Sequence, residues 1–140
     1  MTPKELALDI LSQELKPAET LYKSLCDSRL QELNGGLLSF GDFVENSCST
    51  IIAREVRVVF YKIVLEEVKY YMEKENKTIV QALDESYQNR LEDCHQRGRS
   101  INNCTCALTN ASKGIKLATI SQLVDDYRSI INYIKKEIKA

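Results

Sequence analysis

The chain has 140 residues, a formal net charge of −1 and 44% hydrophobic residues, which suits one domain with a single buried core. Charges of the two signs nearly balance and no basic run is present, which argues against nucleic acid or an anionic membrane surface as a partner. The densest apolar run, residues 56–68, is interrupted by charged residues, so the sequence predicts no membrane insertion.

The N-terminal region predicts a short helix and then a longer one. Leu6, Ile10 and Leu11 share one face of a helix over residues 4–15, and Pro17 is expected to end that helix. Leucines continue the helical spacing up to residue 33. The decapeptide NGGLLSFGDF, residues 34–43, is the clearest predicted loop because it contains three glycines.

Three more helices are predicted beyond this loop. Residues 43–75 are apolar on nearly all sides, which is typical of a central buried helix. A new apolar repeat runs from Ile79 to Cys94, and the most regular repeat runs from Ile120 to Ile138. The chain is therefore predicted to be an all-α helical bundle, a single domain over residues 1–140 with four long helices and a short N-terminal one.

A cysteine-rich stretch, NRLEDCHQRGRSINNCTCALTNAS at residues 89–112, is the most unusual part of the sequence. It contains Cys94, Cys104, Cys106 and the only histidine, His95. A zinc site is disfavoured because Cys94 and His95 are adjacent, and because C-x-C is not the C-x-x-C spacing that brings two thiolates to one ion. A Cys94–His95 catalytic pair is disfavoured since nucleophile and base usually meet through the fold. No phosphate-binding or hydrolase motif is present, so we predict no enzyme, metal or cofactor.

Disulfides remain the preferred interpretation of the cysteines, with ordinary free thiols as the alternative. The chain has five cysteines, Cys26 and Cys48 being the other two, so two bridges would leave one thiol over. Three Asn-x-Ser/Thr triplets start at Asn76, Asn103 and Asn110 and predict glycosylation of a secreted protein.

Four segments resemble the interleukin-10 family of class II helical cytokines. RLEDCH (residues 90–95) resembles the L-x-x-C-H element that closes the fourth helix of interleukin-10 and interleukin-22. NCTCALTNAS (103–112) is similar to the C-x-C loop of the interleukin-19/20/24 branch. VLEEV (64–68) resembles the family's central helix, and SIINYIKKEI (129–138) resembles the last helix of interleukin-10. The resemblance as a whole covers roughly residues 47–140, in the family's order.

The resemblance implies a secreted helical-bundle cytokine, without catalysis, that binds class II cytokine receptor chains and triggers or modulates immune signalling. It implies that Cys26 pairs with Cys94, and Cys48 with Cys104 or Cys106. A bridge from Cys48 into the cysteine-rich loop would oppose exchange of helices between copies, so we expect a monomer.

The resemblance also places a receptor-binding face on the last helix. The residues concerned are Gln122, Asp125, Arg128 and Lys135, which lie off the apolar stripe of that helix. Ordinary solvated surface is the alternative interpretation of these positions. Positions 128 and 135 carry bases where interleukin-10 has acids, so the receptor's identity is not implied.

A cytosolic interaction module is the competing prediction. Bcl-2-like proteins also surround a nearly all-apolar helix with others and bind a partner helix in a groove. The segment LSFGDF (38–43) resembles their glycine motif, although Asp42 stands where that motif has arginine.

Overall fold

The computed structural model describes residues 1–101 and 106–139, and the described residues form five helices. These are α1 (Pro3–Asn34), α2 (Phe40–Asn46), α3 (Cys48–Lys74), α4 (Ile79–Ser100) and α5 (Ala107–Lys139). The prediction of an all-α bundle with four long helices is confirmed. The short helix is the second in chain order and does not lie at the N-terminus as predicted.

Helix α1 continues through Pro17, so the predicted break at this residue is wrong. The helix begins with a capping box: the Thr2 side chain accepts from the Glu5 amide, and the Glu5 side chain accepts from the Thr2 amide. An internal proline costs a helix about 3 kcal/mol. The helix is held against the bundle on both sides of Pro17: Leu11 and Ala18 are buried, Arg57 pairs with Glu14 at 3.1 Å, and the Tyr22 hydroxyl donates to Glu55 at 3.2 Å.

The predicted loop over residues 34–43 is shorter in the structure. Helix α1 ends at Asn34, and Gly36 adopts a left-handed conformation (φ 73°) that lets the chain turn away. The amides of Leu37 and Leu38 donate back to the Glu32 carbonyl. Ser39 then caps α2 by accepting from the Asp42 amide, so the end of the predicted loop is helical.

Helix α3 is central, as predicted, because it packs against each of the other four helices. The paired residues define the directions of the long helices. Helices α1 and α3 are antiparallel. Helices α3 and α4 are also antiparallel, since Glu67 pairs with Arg90 while the earlier Val56 lies near the later Arg97. Helices α4 and α5 are antiparallel too, since Asp84 pairs with Lys135 and Tyr87 with Arg128. It follows that α5 runs parallel to α3, and the Phe60 and Tyr127 rings meet edge to face between them.

The fully buried core lies at one end of the bundle. It is built from the first half of α1, the second half of α3, the first half of α4 and the second half of α5. Its most enclosed side chains are Tyr61, Tyr127, Leu11, Leu83, Ile134, Val64, Val68 and Ser86. At the other end the apolar side chains of the long helices are half-buried or exposed. We call these the core end and the open end.

Candidate functional site

The cysteines gather at the open end of the bundle. Cys26 lies in the second half of α1 and Cys48 begins α3, while Cys94 is in the second half of α4 and Cys106 precedes α5. Because neighbouring helices run in opposite directions, these four positions share one end. The structure therefore places Cys26, Cys48, Cys94 and Cys106 at the same end of the bundle.

None of the four described cysteines is bonded to another: all are free thiols. The predicted Cys26–Cys94 bridge and a Cys48–Cys106 bridge are therefore not formed in this structure. Cys104, the other predicted partner of Cys48, lies outside the described residues. The geometry explains why Cys26 and Cys94 do not meet. Cys26 lies beside Val58 in the groove between α1 and α3, whereas Cys94 packs on the core at the side of α4 that faces α5.

The two thiols of the cysteine-rich stretch differ chemically. Burial, with the nearby Asp93 carboxylate, raises the pKa of Cys94 and keeps it a neutral thiol. Cys106 is exposed, and hydrogen bonds from the Thr109 side chain and amide and the Leu108 amide lower its pKa. Cys94 is thus a packing residue, whereas Cys106 caps the first turn of α5.

Much of the cysteine-rich stretch is helical and not loop. Residues up to Ser100 belong to α4 and residues from Ala107 belong to α5. The sequon at Asn110 therefore starts within α5, on a half-buried residue. The sequon at Asn76 lies on the exposed connection between α3 and α4, where Asn76 has φ 52° and Thr78 caps α4. Asn103 lies outside the described residues.

Among the described residues, the structure shows neither a metal site around His95 nor a membrane-spanning helix. His95 is exposed on α4. Over residues 1–101 and 106–139, no group of three or more His, Cys, Asp or Glu side chains is arranged to hold a metal ion. In the same part of the chain, no helix combines the length and the apolar character needed to span a bilayer.

The four residues of the predicted receptor face lie on the outer surface of α5. Gln122, Asp125 and Arg128 are exposed and Lys135 is half-buried, while Leu123, Val124, Tyr127, Ile131 and Ile134 face the core. The structure thus places the four side chains off the apolar stripe, as the helical spacing predicted.

These four side chains do not form one uniform patch. Arg128 donates to the Tyr87 hydroxyl at 3.0 Å and lies over its ring, and Lys135 pairs with Asp84 at 2.9 Å. Both therefore lie on the flank of α5 next to α4. Gln122 lies on the opposite flank, beside α3, and donates to Asp126 on its own helix. The sequence carried no signal that Tyr87 and Asp84 would hold two of these residues.

Sequence reasoning missed an apolar surface where α1 turns into α2. Leu37 is 86% exposed and Phe40 is 73% exposed, and the Phe40 ring stacks on Phe43 with centroids 6.3 Å apart. The nearby Gly41, part of the Bcl-2-like motif, has open space around the position of a Cβ atom. Glycine is therefore not needed there for close packing within this fold. The signal for this surface was the pair of phenylalanines within the segment taken as a loop.

No protein-family model, no curated protein and no solved structure matches the chain.

Proposed function

We propose that this protein is a secreted helical cytokine of the interleukin-10 type that binds class II cytokine receptor chains. The observation that carries the proposal is the orientation of α5. The segment of resemblance SIINYIKKEI lies on this helix, and its isoleucines pack inward on Tyr127 and the rest of the core. The four positions where the family binds its receptor remain on the outside of the bundle.

The chemistry of the outer α5 surface suits recognition of a folded protein. Asp125 and Arg128 are exposed side chains of opposite charge, and the Tyr87 hydroxyl already orients the Arg128 guanidinium. A preordered arginine loses less conformational entropy on binding than a free one. Arginine is also common among the residues that contribute most to protein interfaces. Asp125 and Arg128 are thus the two residues proposed to contribute most.

Binding to purified receptor ectodomains tests the proposal directly. The recombinant protein is passed over the immobilised extracellular domains of each class II cytokine receptor chain, and the dissociation constant is measured by surface plasmon resonance. We expect saturable binding to at least one chain. The variant Asp125→Lys/Arg128→Glu, which conserves net charge, should weaken that binding at least tenfold, since two interface contacts are lost, each of more than about 1 kcal/mol.

A matched variant on another helix serves as the control. Glu92 and Arg99 form an exposed ion pair on α4, 2.9 Å apart, and reversing it (Glu92→Arg/Arg99→Glu) changes the same number of charges. Circular dichroism shows whether both variants fold. Failure to bind any receptor chain, or equal losses in the two variants, would contradict the proposal. Binding of an amphipathic helical peptide alone would favour the Bcl-2-like alternative.

The oligomeric state is proposed to be monomeric, because the four long helices complete one core within a single chain. Light scattering at micromolar concentration tests this, and a mass twice that of the chain would contradict it.

A further inference from the structure

A cleft opens where α3, α4 and α5 diverge next to the core. It is lined by Val56, Val59 and Ile63 of α3, by residues of α4 and by Ile120 of α5, and its volume is about 180 Å³. An apolar cavity of about 150 Å³ is large enough to bind benzene. The cleft therefore has room for an apolar group of about the size of a phenyl ring.

The floor of the cleft is apolar and partly uncovered. Phe60 and Ile120 are almost fully buried beneath it, with exposures of 4% and 5%. Val59 remains 46% exposed although it lies in the cleft wall, and Ile63 is half-buried. Covering these side chains with an apolar ligand would remove more hydrocarbon from water, which is favourable.

Basic side chains outnumber acidic ones at the rim. Arg97 is paired with Asp93 at 2.9 Å, and Arg90 is paired with Glu67 at 2.8 Å. The Nε atom of Arg90 is nevertheless buried without a hydrogen-bond partner. Lys116 completes the basic set, and within residues 1–101 and 106–139 it has no ion-pair partner. The rim thus offers a cation that no carboxylate of the described chain neutralises.

We propose that this cleft binds a monocarboxylate that carries an apolar group of phenyl size. The apolar group packs on Val59 and Ile63, and the carboxylate accepts hydrogen bonds from the Lys116 ammonium. A single negative charge fits better than the double charge of a phosphate, because Glu55 and Asp93 also lie at the rim and repel additional negative charge. The site is independent of the receptor-binding surface proposed on α5.

The ligand 3-phenylpropanoate is a suitable probe, with 3-phenylpropan-1-ol lacking its charge and propanoate lacking its ring. Methyl ¹H–¹³C spectra of the intact protein report directly on Val59, Ile63 and Ile120. We expect saturable shifts of these methyl groups with 3-phenylpropanoate, weaker binding of the alcohol and no measurable binding of propanoate.

Two variants separate the contributions of charge and of space. Lys116→Glu should weaken binding of 3-phenylpropanoate about tenfold, the factor expected for one charge-assisted hydrogen bond. It should leave binding of the alcohol unchanged. Val59→Phe should abolish binding of both ligands by filling the cleft. Lys4→Glu, the same change of charge on exposed Lys4 at the start of α1, should have no effect.

The proposal is overturned by any of three results. The first is the absence of saturable shifts at the cleft methyl groups. The second is equal weakening by Lys116→Glu and Lys4→Glu, which would indicate a general charge effect. The third is unchanged binding in Val59→Phe, provided that circular dichroism shows the variant to be folded.

Discussion

Replacement of Leu11 by alanine tests whether α1 belongs to the bundle core. Leu11 is fully buried in the first half of α1, among core residues supplied by α3, α4 and α5. The substitution removes three carbon atoms, worth about 2.4 kcal/mol at about 0.8 kcal/mol each. The cavity that remains adds to this, so we expect the free energy of unfolding to fall by about 3 kcal/mol.

Two other leucines give an internal scale for this effect. Leu30 is on the same helix but 55% exposed, and Leu37 in the following turn is 86% exposed. In proportion to burial, Leu30→Ala should lower the free energy of unfolding by about 1 kcal/mol, and Leu37→Ala by about 0.3 kcal/mol. At Leu30 the slightly better helix propensity of alanine reduces the loss further.

Urea unfolding followed by circular dichroism measures all three variants. Leu11→Ala should destabilise the fold most, Leu30→Ala less and Leu37→Ala least. The slope of the unfolding free energy against urea concentration should be the same in all three variants. If Leu11→Ala cost less than Leu30→Ala, the first half of α1 would not be docked on the core.

Three further predictions concern single side chains. Pro17→Ala should raise the melting temperature, because alanine restores an intrahelical hydrogen bond and so recovers part of the about 3 kcal/mol that an internal proline costs a helix. A lower melting temperature would contradict a continuous α1. Arg90→Met should destabilise the fold by about 2 kcal/mol in urea unfolding, because it removes the ion-pair partner of Glu67 where both side chains are under 20% exposed. Lys135→Met, at the more exposed pair with Asp84, should cost less than about 1 kcal/mol, and equal effects would contradict this. Burial raises the pKa of Tyr61 to about 12, above the value of about 10 in an unfolded chain. The neutral Tyr61 side chain therefore contributes fully to the unfolding free energy below pH 10, and this contribution is lost as the pH rises towards 12. Tyr61→Phe should flatten that decrease in the unfolding free energy, and an unchanged slope would show that other groups cause it.

The sequence predicted helices well where the signal depends only on residues close together in the chain. The restart of the helical pattern at Ile79 agrees with α4, because Thr78 and Gln81 form a capping box within four residues. The apolar repeat from Ile120 to Ile138 agrees with α5, and it places Gln122 and Asp125 on the outside without reference to any other helix.

Predictions that required knowledge of neighbouring helices were less successful. The start of α5 was missed because Ala107 to Thr119 has no regular apolar stripe, and the helix there lies at the half-buried open end. The pairing of the cysteines could not be derived from spacing either. It depends on which faces of α1 and α4 meet, and α3 lies centrally between the groove that holds Cys26 and the side of α4 that holds Cys94.

The sequence by itself determined the all-α class, the caps at Thr2 and Thr78, the turn at Gly36 and the inner and outer faces of α5. Each of these depends on residues within one or two helical turns of each other. Tertiary structure alone decided that α1 continues through Pro17, since the helix packs against the bundle on both sides of the proline. It also decided that Arg128 and Lys135 are held by Tyr87 and Asp84, and that a cleft opens beside Val59. These features depend on how helices distant in sequence pack together, and no local pattern records that packing.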